Sequence, residues 1–365
     1  MRVAIVGAGL AGLACAYELE RLGILPVIFE RQKAVGKPHL VMETMAQFLH
    51  HNPRQDIFDY IRNELSLPLN PHNHIQSMVL HSPNQEATIH GHLGYCTVRG
   101  HDDRSLERQL AARVAAEIRL GQRPDPWELR REFDWVVVAT GDHAWSREFT
   151  AWTTDVNWSV RGATVSGFFN PNELHYFFDP RYAKTGYAMI APIDERMASV
   201  GVGVPHASGD EADRYWERFR SEQGRFWEKE IAPIRVDNMA IGRPAANIVG
   251  NLVLVGQAGG FAEPLGIAGQ CPSLASGVFA ARQITLGDRS LVRFARRYRA
   301  YYHRVWRIRR NVNAWTAEEM DRLVRAAGYT GGLLATLPFN LFTQAGWALD
   351  ALRLADDPSP EVGPW

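Results

Sequence analysis

Residues 3–30 constrain this chain more than any other stretch. Val3-Ala4-Ile5-Val6 leads into Gly7-Ala8-Gly9-Leu10-Ala11-Gly12, and Val27-Ile28-Phe29-Glu30 closes the unit. The pattern predicts a β-strand, a glycine turn, a helix through Leu13 to Leu22, and a second strand ending in an acid. Gly7 permits a tight turn, Gly9 lets the backbone approach a pyrophosphate, and Gly12 permits close helix–strand packing. N–H groups at the helix start would hold a diphosphate. Glu30, with Arg31 beside it, would meet an adenosine ribose. A glycine triplet alone is weak, but here the flanking strand and helix and the acid 18 positions past Gly12 support a dinucleotide site. The motif does not choose between FAD and a nicotinamide cofactor.

A chain of 365 residues can bury one large core or two closely packed ones. Its 40 basic and 40 acidic residues balance, which argues against a protein that finds nucleic acid by overall charge. Cys15, Cys96 and Cys271 lie far apart with no CxxC spacing, which suits a reducing, cytoplasmic compartment without structural disulfides. Strand-like sequence begins at Arg2, so no cleaved signal peptide is expected. The abundant Trp, Tyr and Phe exceed what a minimal core needs, and some are expected to line a cavity for a flat or greasy ligand.

Further along, residues 46–66 read as helical, with Phe48, Leu49, Ile57, Phe58 and Ile61 as the apolar stripe. Ile75 to His81 and Ala87 to His90 read as strands around Ser82-Pro83-Asn84. Leu106 to Ile118 reads as helix, Gly121 to Trp127 as a Pro-rich connection, and Trp135 to Ala139 as a buried parallel strand ending at Thr140-Gly141. Four strand-like segments follow: Thr164 to Phe169, His175 to Asp179, Tyr187 to Ala191 and Ala198 to Val204. They predict an inserted antiparallel sheet, followed by a helix over Glu211 to Glu228. Leu252 to Val255 then runs into a second glycine-rich loop, Gly256 to Gly269, and another helix. The glycines either hold the far end of an extended cofactor or only allow tight packing.

These landmarks together resemble the FAD-dependent oxidoreductases of the geranylgeranyl reductase type, within the aromatic-hydroxylase-like, glutathione-reductase-fold flavoproteins. The resemblance spans about residues 1–290. Its landmarks are the first glycine motif, Val35-Gly36-Lys37-Pro38, Gly94-Tyr95 through Val98-Arg99, Val138-Ala139-Thr140-Gly141, Thr185 to Pro192, Ala198 to Gly203, and Gly256 to Gly269 with Ala275 and Gly277 behind it. The resemblance implies an α/β fold: a Rossmann-like FAD-binding domain (1–70, 93–148 and 236–290), an inserted antiparallel-sheet substrate domain (71–92 and 149–235), and a helical C-terminal region (291–365). It implies FAD held by Gly7, Gly9, Gly12, Glu30, Arg31, Arg99, Gly141, Gly256, Gln257, Pro264, Gly266, Ile267, Ala268 and Gly269. Arg99 is read as reaching the cofactor or as keeping a local salt bridge.

The chain also departs from that family. The ribityl-binding acid is replaced by Gln257, which can still accept and donate. The arginine–cysteine pair after Pro38 becomes Leu40 and Val41, a cavity tryptophan becomes Met189, and the polar pair before the last glycine becomes Ile267-Ala268. The stretch from Leu110 to Asp134 leaves little room for extra strands. There is no second clean GxGxxG for nicotinamide, so a nicotinamide reductant would bind transiently or an electron-carrier protein would supply electrons.

The chemistry expected of such a site is the flavin's own, with side chains positioning substrate and delivering a proton. Tyr187 is the first cavity residue to consider, as hydroxyl donor or packed ring. His39 is either a proton donor or a loop histidine without a chemical role. No metal-ligand spacing is persuasive; His72, His74, His81, His90 and His92 read as surface or core histidines. Nine arginines and no acid lie between Arg289 and Arg310, interleaved with aromatics. A helix there would be a structural element paired with acids elsewhere, or would approach an anionic membrane surface or an acidic electron donor. Gly331 to Leu349 is apolar but interrupted by Pro338, Asn340 and Gln344, too broken for a transmembrane span.

The leading expectation is an FAD enzyme, cytoplasmic or peripherally membrane-associated, that reduces a carbon–carbon double bond in an apolar, prenyl-derived substrate. The alternatives are an FAD-dependent monooxygenase of an aromatic or lipophilic small molecule and a flavin-binding protein that has kept only ligand binding or scaffolding.

Overall fold

Strands buried on both faces read as unbroken apolar runs, and three such runs build the centre of the first sheet. In spatial order this sheet comprises β13 (Ile248–Val249), β14 (Leu252–Leu254), β7 (Trp135–Val138), β1 (Val3–Val6), β2 (Val27–Glu30) and β6 (Glu117–Leu120). All neighbours are parallel except β13 with β14. Ile5 pairs with Val137 on one side and Ile28 on the other, and Val136, Val137 and Val138 are wholly buried. The computed structural model describes residues 1–36, 40–52 and 55–336.

The second sheet has eight strands in the order β12 (Lys229–Pro244), β8 (Trp152–Ser166), β11 (Met197–Pro205), β10 (Tyr187–Pro192), β9 (Glu173–Phe177), β4 (Asn73–His81), β5 (Glu86–Arg99) and β3 (Val41–Ala46). It is antiparallel apart from the β4–β9 pair. The helices in chain order are α1 (Leu10–Arg21), α2 (Ile57–Asp59, continued by a wider turn to Glu64), α3 (Leu106–Ala111), α4 (Pro126–Glu132), α5 (Ala144–Phe149), α6 (Pro180–Ala183) and α7 (Gly209–Gln223). Three C-terminal helices follow: α8 (Gln270–Leu286), α9 (Ser290–Val312) and α10 (Ala317–Thr336). The chain therefore has the expected class: a Rossmann-like region, an inserted sheet and a helical C-terminal region.

Packing follows from the burial pattern. Helix α8 crosses α1 so closely that a Cβ on Gly277 would lie 2.1 Å from the Ala11 carbonyl oxygen. Along α9, Leu291, Phe294, Ala295, Tyr298, Tyr301, Tyr302 and Val305 recur at three- and four-residue steps and are buried. Arg309 is buried on the same face, whereas Arg293, Arg296, Arg297, Arg307 and Arg310 are exposed. Helix α7 covers the second sheet with Trp216 and Phe219. Asp321 of α10 accepts hydrogen bonds from Ser82 Oγ (2.6 Å) and from the Asn84 backbone (3.0 Å) and side chain (2.9 Å), clamping the β4–β5 turn.

Several boundaries differ from the sequence reading. Helix begins at Ile57 rather than near residue 46, because the Asp56 carboxylate caps the N–H groups of Phe58 and Asp59. The helix from Leu106 stops at Ala111, and Ile118 lies on β6 opposite Ile28. There is thus room for one strand and for α4 between Leu110 and Asp134. Pro126 starts α4 behind an Asp125 cap, where a connection was expected. The long strand β12 was not anticipated at all. The expected helix over Glu211 to Glu228 ends at Gln223. Among the described residues no helix is long and apolar enough to cross a membrane. Residues 337–349 of the apolar C-terminal stretch lie outside the described residues.

Candidate cofactor and substrate site

Parallel strands deliver their following loops to one edge of the sheet, where ligands bind in α/β folds. Here β1 delivers Gly7 to Gly9, β2 delivers Glu30 and Arg31, β7 delivers Thr140-Gly141, and β14 delivers Gly256 and Gln257. The glycines of the first motif divide their tasks. Gly7 has φ +111°, and a Cβ there would lie 2.4 Å from the Ala139 carbonyl oxygen. A Cβ on Gly9 or on Gly141 would meet nothing within 4 Å among the described residues.

Helix α1 starts at Gly9 with no side-chain cap, so no side chain takes up its first N–H groups. The Glu30 carboxylate accepts from Ala8 N–H and Gln32 N–H, each at 2.8 Å, fixing an acceptor beside that terminus. Arg31 lies 3.7 Å from Asp142, next to Gly141. An uncapped helix end, a cradle that a Cβ would fill and an adjacent fixed carboxylate fit the adenosine diphosphate half of a dinucleotide.

The second loop is built differently. Gly256 has φ +59° and its N–H donates to Ser276 Oγ of α8 at 2.9 Å. Gln257 is turned toward β12, its Nε2 3.4 Å from the Ala240 carbonyl oxygen. Glu263, which the sequence reading passed over, is 1% exposed and organises the loop. Its carboxylate accepts from Leu265 N–H (2.7 Å), Gly266 N–H (2.7 Å) and Ala268 N–H (2.9 Å). Burial pushes the Glu263 carboxyl upward, and the three N–H groups oppose that rise. Gly266 and Ala268 are among the residues that the resemblance gives to FAD, and their N–H groups point to Glu263. Ile267 holds a left-handed φ of +63° between them, and α8 starts at Gly269 without a side-chain cap. The signal available in the sequence was the acid directly before Pro264 in a short glycine-rich run.

Tyr187 links the second sheet to this loop by donating its hydroxyl to the Gly266 carbonyl oxygen at 3.0 Å. Its ring lies against Tyr176 and Trp158, and burial raises the phenol far above its ordinary range, so it stays protonated. Behind it, Arg309 donates to the Thr185 carbonyl oxygen at 2.7 Å and stands over the Trp158 ring. Burial lowers the guanidinium to about 10, opposed by the negative charge of Glu263.

Arg99 forms ion pairs within the protein. It joins Glu43 at 2.7 Å and Glu107 at 2.5 Å. Burial works against its charge, but the two carboxylates outweigh it and hold the guanidinium more basic than usual. His39, with Lys37 and Pro38, lies outside the described residues. Among the described residues the five histidines do not gather in one cluster: His72, just before β4, bonds the Ile193 carbonyl oxygen, His92 bonds Asp56 with the His74 ring 6.4 Å away, and His81 stacks on Phe177 and meets His175.

Known proteins share this fold. The profile of an NAD(P)-binding Rossmann-like domain matches residues 5–60. Over 185 residues the chain is 29% identical to digeranylgeranylglycerophospholipid reductase 2 of Methanothermobacter thermautotrophicus, covering 47% of this chain and 46% of that protein. The matched region thus spans less than half of that relative. The fold matches a geranylgeranyl bacteriochlorophyll reductase-like protein of Thermoplasma acidophilum with a TM-score of 0.72, at 16% identity over 97% of this chain and 98% of that one. The chain is therefore similar in sequence to one such reductase over about half its length, and similar in fold to a reductase-like protein over nearly all of it. The flavin-dependent monooxygenase PieE, solved with FAD and substrate, has the same fold at a TM-score of 0.61 and 15% identity, over 92% of this chain and 72% of that one. The chain thus carries an NAD(P)-binding Rossmann-like region and shares the fold of these flavoproteins, and its site is consistent with FAD.

Proposed function

We propose that the chain binds FAD in extended form and reduces a carbon–carbon double bond of an apolar, prenyl-derived substrate. The carrying observation is the pair of glycine loops that leave β1 and β14 at one sheet edge and run to two helix N-termini without side-chain caps. The name of the archaeal relative, a reductase of a digeranylgeranyl lipid, supports the substrate class.

FAD, when bound, supplies the redox chemistry. The open face at Gly9 and the α1 N–H groups hold the diphosphate, and Glu30 meets the adenosine ribose. The loop from Pro264 to Gly269 faces the flavin end. Tyr187 supplies a flat apolar wall and fixes Gly266, and its raised phenol keeps the proton that it donates. Electrons arrive from a nicotinamide reductant or a carrier protein, and the exposed arginines of α9 offer an encounter face for an anionic membrane surface or donor.

Anaerobic mixing of the reduced holoprotein with prenyl alkenes tests this reading. Reoxidation of the flavin with formation of the saturated product supports it. Reoxidation only by oxygen, with a hydroxylated product, replaces it with the monooxygenase reading. Stable flavin with neither reaction leaves a ligand-binding protein.

A further inference from the structure

Two adjacent histidines and a cysteine from distant parts of the sequence meet inside the protein. His50 and His51 follow the short turn Gln47–Leu49 after β3, and Cys271 is the second residue of α8. One ring nitrogen from each histidine and the Cys271 sulfur all lie within 4.8 Å of one another. They line a cavity of about 30 Å³, enough for a single water or ion, whose wall also includes Met45 and Tyr298.

The chemistry of this cavity is not that of an ordinary apolar core. Neither ring nitrogen of His51 and not the hydroxyl of Tyr298 has a hydrogen-bond partner among the described residues. Buried polar atoms left this way cost about 1–3 kcal/mol each. Tyr60, Phe294, Tyr298 and Tyr301 surround the His51 ring at 5.2–6.4 Å between centroids and hold it in place. Zinc takes cysteine as the thiolate, so binding a cation here would release the Cys271 proton to solvent.

We propose that His50, His51 and Cys271 form a mononuclear metal site for a zinc-class divalent cation. Two neutral imidazoles and one thiolate are a donor set that zinc accepts, with a fourth position left for water beside Tyr298. Zinc bonds of about 2.0–2.3 Å require ligand atoms roughly 3.3–3.8 Å apart in a tetrahedron, so side-chain rotations of about an ångström close the site. The cavity wall also includes Ala268 and Gly269, which the FAD reading gives to the flavin end, so the site borders that end, although none of the three ligand side chains is given to the cofactor.

X-ray absorption at the zinc edge is indifferent to flavin and so tests the site in the protein as purified, loaded with one equivalent of Zn(II). The expected result is one sulfur and two imidazole scatterers, with the sulfur lost in Cys271→Ser and kept in Cys15→Ser and Cys96→Ser. Retention in those two variants assigns the sulfur even if Cys271→Ser does not fold. Competition against a chromophoric chelator is expected to show Zn(II) binding weakened by more than about 100-fold in His51→Gln, beyond the loss that outer-shell partners cause. A spectrum with no sulfur scatterer, or an affinity that His51→Gln leaves unchanged, overturns the proposal and leaves the cavity to water.

Discussion

A Cβ built on Gly12 would lie 2.0 Å from the carbonyl oxygen of Gly7. The first turn of α1 is therefore pressed directly onto the turn that precedes it, and Gly7 and Gly12 serve the fold. Gly9, between them, has φ −87° and open space around its missing side chain. Gly12→Ala is expected to destabilise the protein by about 1–3 kcal/mol through overpacking. Gly9→Val is expected to leave stability within about 0.5 kcal/mol while sharply lowering flavin content, because the new side chain enters only the ligand's space. Denaturant melts and flavin absorbance on the two purified variants check both halves; normal flavin content in folded Gly9→Val would count against the placement.

Glu263 invites a second substitution. Replacing it by Ala leaves three N–H groups without their acceptor in a site where the carboxylate is almost fully enclosed. A loss of about 1–3 kcal/mol is expected, together with weaker flavin retention as the Leu265 to Ala268 backbone loosens. Thermal melts with and without added FAD separate the two effects. If stability is unchanged, the carboxylate does not hold the loop.

For Arg99 the ion pairs with Glu43 and Glu107 decide the expected outcome. Arg99→Met strands the Glu107 carboxylate, whose side chain is 2% exposed, without a cation. A loss of about 3–5 kcal/mol is expected, of similar size in flavin-free and flavin-loaded protein. A variant that melts normally but binds FAD poorly would return Arg99 to the cofactor.

Acid sensitivity is expected from the second sheet. Burial lowers His81 to about 4, with His175 and Arg225 adding to the drop and Glu86 opposing it. His175 is lowered as well, against the charges of Glu173 and Glu86. Both rings are neutral in the fold and take up a proton more readily when unfolded, so the unfolded chain binds more protons below pH 6.5. Stability should then fall as pH drops from about 6.5 toward 4, by up to about 1.4 kcal/mol per pH unit for His81, with His175 adding in the same direction. His81→Gln should flatten that slope in denaturant titrations across the window. An unchanged slope would place the acid sensitivity elsewhere.

The parts of this molecule legible in its sequence are those where one physical demand dominates. The strands β1, β7 and β14 are buried on both sides, and continuous valine, isoleucine and leucine runs announce them. The glycines at 7, 9 and 12 announce a turn because other residues would clash or block. In β12, by contrast, exposed and half-buried residues alternate through Pro233, three register shifts fall near Ala232, Met239 and Gly242, and the pattern dissolves into what reads as loop. Ile118 extends a plausible helical period from Leu106, and only its pairing with Ile28 decides for a strand. The site divides the same way. Glu30 sits at a fixed offset from the glycines, whereas Glu263 acts through a loop shape and Cys271 meets His51 across more than half the chain.

The close crossing of α1 and α8 at Ala11 and Gly277 has a consequence for how the protein responds to a ligand. Each helix begins where a glycine loop ends, and their backbones touch without an intervening side chain. The two loops cannot shift independently, so a molecule gripped at one is registered at the other. Binding at either end should raise the unfolding temperature of both halves together, as one cooperative transition and not as two.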